Sequence, residues 1–124
     1  MTLPKSPPNP HPPKSKQFKD LRERWLDSEF QAEWHFAQVS NTEYLGDALP
    51  MAWPNLGPDL FSAFLGCELE FGEETSWSTP ILEDWKQASE LNFSPDNLYW
   101  RKLLEMTDTF LEMGQGKFYT GLTD

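Results

Sequence analysis

Cysteine is almost missing from this chain of 124 residues. Cys67 stands alone, which excludes an intrachain disulfide and any cysteine-rich metal site. β-Branched aliphatic residues are as scarce, with Val39 and Ile81 the only two. Strands favour such residues, so an all-β domain is not expected. No run approaches the ~20 apolar residues of a membrane span, and the N-terminus has no apolar signal-peptide core. Basic residues number ten against twenty acids, giving a net charge of −10. Binding to nucleic acid or to an anionic membrane surface needs lysine and arginine to replace counterions, so neither partner is expected. The lone cysteine fits a reduced, cytoplasmic setting.

What the chain does have is large aromatic residues, six Trp and nine Phe, too many for a chain disordered throughout. Its length allows one domain with a modest core. Of its eleven prolines six fall in residues 1–16, together with Lys5, Lys14 and Lys16 and no acid. Residues 1–17 therefore read as a disordered, extended Pro-rich leader, and 18–124 as the folded part.

From Phe18 to Trp25 the pattern predicts a short amphipathic helix, and Ser28 is the expected N-cap of a second one anchored by Phe30, Trp34 and Ala37. His35 on that helix is expected to be a packed or surface histidine, because the spacing of a zinc motif is absent. The stretch 46–71 reads as strand, turn, helix, strand. Ala48 to Trp53 is the first strand; Pro58 opens a helix whose buried face is Leu60, Phe61, Phe64 and Leu65; Gly66 ends it in a left-handed conformation. Cys67 to Phe71 alternates as a half-buried strand and Ser76 to Leu82 is a second extended segment, so Cys67 to Phe71 and Ser76 to Thr79 suggest a small hairpin about the turn Gly72–Thr75. Residues 83–93 are a connector with at most a helical turn. Ser94-Pro95 then signals a long helix, with the apolar stripe Tyr99, Leu103, Met106, Phe110 and Met113. Gly114-Gln115-Gly116 turns the chain into a last strand, Phe118 to Leu122. These glycines follow a helix and do not lead into one, so they are not the phosphate-cradling arrangement.

The order of Gly46-Asp47-Ala48 to Trp53, Ala63-Phe64-Leu65-Gly66-Cys67, Phe71-Gly72 to Leu82 and Phe118 to Asp124 resembles the N-terminal portion of uroporphyrinogen decarboxylase-like proteins. That family has a (β/α)8 barrel preceded by helices, and includes the decarboxylase of haem biosynthesis and methyl-transferring enzymes of corrinoid metabolism. The resemblance implies an α/β, predominantly helical fold: N-terminal helices plus the first two strands of an incomplete barrel. Ala48 to Trp53 and Phe118 to Leu122 would be those strands, and Pro95 to Met113 an outer helix. Barrels of this kind need ~250 residues, so the chain is expected to be a truncated or split member.

The departures bear on chemistry. The decarboxylases carry an Arg-Gln-Ala-Gly-Arg segment near the N-terminus, which is not found in this chain. They also carry a Phe-Ser-Asp segment after the first strand, whose aspartate binds substrate pyrrole N–H groups; the comparable region here is Trp53-Pro54-Asn55-Leu56-Gly57, and Asn55 has no charge to supply. The corrinoid branch draws its zinc ligands from the C-terminal half. No catalytic residue, metal or cofactor is therefore assigned.

Trp53, Asn55, Trp77 and Asp124 are the residues expected to line part of a small-molecule pocket at the strands' C-terminal ends. Exposed apolar faces of such a fragment would favour self-association. An alternative is a small helical interaction module without catalysis, meeting a partner through the Tyr99–Met113 stripe. A third reading, acid–base chemistry by Glu73, Glu74, Glu83 and Asp84, lacks an apolar pocket to raise a pKa.

Overall fold

The computed structural model describes residues 1–6 and 16–122. The fold is a mixture of helices and small sheets, and the described residues form no closed barrel. Most of the expected leader, 7–15, lies outside the described residues, but its first residues are structured. Strand β1 (Thr2–Pro4) pairs antiparallel with β2 (Thr42–Tyr44), Thr2 opposite Tyr44 and Pro4 opposite Thr42. Proline is tolerated there because β1 is an edge.

Helix α1 (Leu21–Leu26) starts at Asp20, whose carboxylate accepts the Glu23 amide at 2.8 Å. Helix α2 (Ser28–Ser40) is capped by Asp27 and not by Ser28, as the Asp27 carboxylate accepts the Phe30 amide at 2.8 Å. A charged acceptor suits the positive end of a helix better than a hydroxyl. Ser28 instead donates its hydroxyl to Glu105, 2.7 Å away on α4 (Leu98–Gly114). Helix α4 begins at Asn97, which accepts from the amides of Tyr99 and Trp100. Ser94 and Pro95 therefore precede the helix.

Strand β3 (Met51–Ala52) and strand β6 (Tyr119–Thr120) pair in parallel, Met51 opposite Tyr119 and Ala52 opposite Thr120. Both are shorter than their sequence pattern suggests. Pro50 and Pro54 flank β3 and have no N–H to give to a ladder. The Tyr119 and Gly121 amides nevertheless donate to the carbonyls of Pro50 and Ala52, both at 2.8 Å. Between these strands lie α3 (Leu60–Phe64), the hairpin β4 (Leu69–Phe71) and β5 (Ser76–Ser78), a 3₁₀ turn (Trp85–Glu90) and α4. The 3₁₀ turn opens with a capping box of Asp84 and Gln87, and its Trp85 is solvent-exposed.

Helix α4 spans both halves of the core. Its Tyr99, Leu103 and Met106 meet Leu56, Leu60, Ala63 and Leu69, while Phe110 joins Ala32, Val39, Ala52 and Phe118. The stripe offered by the sequence as a partner surface is thus the chain's own core. Helix α3 is a correction of a different sort: Leu60 and Ala63 are buried, but Phe61 is 73% exposed. A helix of five residues makes little more than one turn and has room for only a narrow buried face. The parallel pair β3–β6 also has two unlike faces. Ala52 and Phe118 are buried in the core beneath α2 and α4, whereas Met51, Trp53 and Tyr119 are exposed.

Candidate functional site

Helix α2 has two working faces. Ala32, Phe36 and Val39 turn to the core, while Phe30, Gln31, Trp34, His35 and Gln38, at i, i+1, i+4, i+5 and i+8, line a cleft of about 340 Å³. Arg24 and Trp25 of α1, Asn55 beyond the C-terminal end of β3, and Glu73 and Glu74 of the β4–β5 turn complete it. The size suits a small organic molecule.

Two of the three aromatic walls, Trp25 and Phe30, are fixed by contacts outside the cleft. The Trp25 indole N–H donates to the Gly72 carbonyl at 2.8 Å, and its ring leans on Phe71 with centroids 5.6 Å apart. Phe30 meets Phe18 edge to face at 4.8 Å and stacks with Trp34 at 6.3 Å. Trp34 keeps 45% of its surface exposed.

Charge in the cleft is unevenly matched. Arg24 lies 3.3 Å from the Glu73 carboxylate and donates a second N–H to the Glu73 carbonyl at 2.6 Å. Gln31 bonds the Arg24 carbonyl at 2.9 Å. Burial pushes the His35 imidazole below its ordinary range, and its ring packs on Phe110 with centroids 5.4 Å apart. That burial disfavours the charged imidazolium. With Arg24 matched by Glu73, Glu74 leaves the described lining with one excess negative charge.

The four residues expected to form a pocket are not brought together. Asn55 lines the cleft, with its carboxamide oxygen accepting the Gly57 amide at 2.7 Å. Trp53 lies on the open face of β3, its Cβ against Gly121. Trp77 is on the hairpin, where its ring covers Gly72 and its indole N–H donates to Glu70 at 2.9 Å. Asp124 lies outside the described residues. Of the four acids weighed for acid–base work, Glu73 and Glu74 reach the cleft, whereas Asp84 caps the distant 3₁₀ turn. The sequence reading missed Arg24, Trp25, Gln31 and Gln38. The available signal is the mixture of aromatic and amide residues at helical spacing on one face of α2, where the pattern offers Phe30, Trp34 and Ala37 as apolar anchors.

Among the described lining residues there is no serine or cysteine nucleophile. No group of three His, Cys, Asp or Glu side chains converges on a metal-sized position among the described residues. No described helix is long and apolar enough to cross a membrane. The arrangement is suited to holding a ligand. Comparison of the chain with protein-family models, with curated proteins and with solved structures finds no match.

Proposed function

We propose that this chain is a pocket-bearing part of a uroporphyrinogen decarboxylase-like (β/α)8 barrel, binding a small molecule and carrying no decarboxylase chemistry of its own. The observation that carries this reading is the parallel pair β3–β6, with helices on one face and Met51, Trp53 and Tyr119 uncovered on the other. Parallel sheets are normally covered on both faces, and two strands alone leave both outer edges unpaired. In a barrel that open face would point inward, and the cleft with Asn55 would lie towards the C-terminal rim. Asn55 in place of an aspartate supports the absence of decarboxylation.

Light scattering and binding of the dye ANS to the full chain test this. The barrel reading expects self-association or dye binding, both reduced by Trp53→Glu. A monomer that binds no dye would count against it.

A second reading, an interaction module, is favoured by Leu104 and Leu111, exposed one heptad apart on the outer side of α4. It expects Leu104→Glu with Leu111→Glu to abolish association and Trp53→Glu to leave it intact.

A further inference from the structure

We propose that the cleft between α1, α2 and the β4–β5 turn takes a small organic cation, an ammonium group bearing methyl or other apolar substituents. The rings of Trp25, Phe30 and Trp34 would meet the substituents, and the Glu74 carboxylate would be the counter-ion. This rests on reading the cleft as a ligand pocket and adds the class of ligand.

Three observations converge on it. The first is the wall: three aromatic rings line one cleft, and Trp25 and Phe30 are held by contacts with Gly72, Phe71 and Phe18 that a ligand need not supply. Aromatic faces attract cations through their quadrupole, and clustered rings are the usual recognition of methylated ammonium groups. The second is charge. Arg24 is held by both the carboxylate and the carbonyl of Glu73, which leaves Glu74 as the excess charge. His35 is half-buried, and its burial disfavours the imidazolium that would oppose a cation. The third is exclusion. An anionic ligand would face Glu74 within a chain of net charge −10, with no unmatched basic side chain in the described lining.

The test titrates the full chain with choline and, separately, with its uncharged isostere 3,3-dimethyl-1-butanol, following the indole N–H signals of Trp25 and Trp34 by NMR. Choline is expected to bind about tenfold more tightly than the isostere. Glu74→Gln, an exposed turn substitution, is expected to remove most of that difference, and Trp34→Ala to weaken both probes. Equal binding of the two probes, or an unchanged preference in Glu74→Gln, would overturn the cation assignment while leaving the cleft as a pocket. If neither probe shifts either signal in chain shown to be folded by circular dichroism, the pocket reading fails with it.

Discussion

The Tyr99 hydroxyl donates to the Glu68 carboxylate at 2.6 Å, joining the first turn of α4 to the start of the β4–β5 hairpin. The same oxygen accepts from the Leu69 amide and from Arg22 of α1, each at 3.0 Å. One buried oxygen thereby ties together α1, the hairpin and α4.

Tyr99→Phe keeps the ring but leaves the buried Leu69 amide without its acceptor. A loss of about 1–3 kcal/mol in unfolding free energy is expected, measured by urea titration. Burial, reinforced by the bond to Glu68, also raises the Tyr99 pKa. The unfolded chain then gives up this proton first, so stability should fall as pH rises above the ordinary tyrosine value of 10. Tyr99→Phe should lack that part of the alkaline loss.

Gly57 has φ +105°, and a Cβ built on it would stand 1.7 Å from the Ser76 Oγ, which itself bonds the Leu56 carbonyl. Gly57→Ala combines backbone strain with that collision and should cost about 3 kcal/mol or more. Gly46 has φ +64° with no atom within 4 Å of such a Cβ. Gly46→Ala should therefore cost only about 1 kcal/mol, from the backbone alone. Thermal unfolding of the two variants separates the effects.

Leu60→Ala removes a fully buried side chain from the core and should cost about 2–5 kcal/mol. Phe61→Ser, one residue on, should change stability by no more than about 0.5 kcal/mol, since that ring is exposed. Equal losses would mean that Phe61 is covered in solution.

His35 binds its proton less readily when folded than when unfolded, because burial disfavours the imidazolium. The unfolded state then holds more protons, so stability rises with pH across this window and falls as pH drops below the ordinary value of 6.5. His35→Gln should flatten the profile below the ordinary imidazole value of 6.5. Asp27 and Glu105 act at lower pH. Burial of Asp27 is outweighed by Lys16 and the Phe30 amide, and Lys102 with Ser28 lowers Glu105. Their contributions should be lost only as pH falls through the carboxylate range.

Much of the fold was legible because single patterns dominated. The α4 stripe is the core, and the β4–β5 hairpin follows its alternation. Strands β3 and β6 fall inside the two segments read as strands, Ala48 to Trp53 and Phe118 to Leu122, and pair in parallel. Helix starts were read less well, since Asp27 and Asn97 competed with nearby Ser28 and Ser94 for the capping position. The candidate site was least legible. Its residues come from α1, α2, the segment after β3 and a hairpin turn, and no periodicity relates positions so far apart. Trp34 illustrates the ambiguity: helical spacing fits either face of α2, and only packing decides that it borders the cleft.

The proposed function depends on β3 and β6 being an unfinished sheet. Hydrogen exchange of the full chain measures this most directly, through the Tyr119 and Gly121 amides that bond to Pro50 and Ala52. The account predicts that these exchange far faster than the α4 amides from Leu103 to Phe110, which lie over the core. Protection of Tyr119 and Gly121 equal to that of α4, in a chain shown to be monomeric, would contradict it.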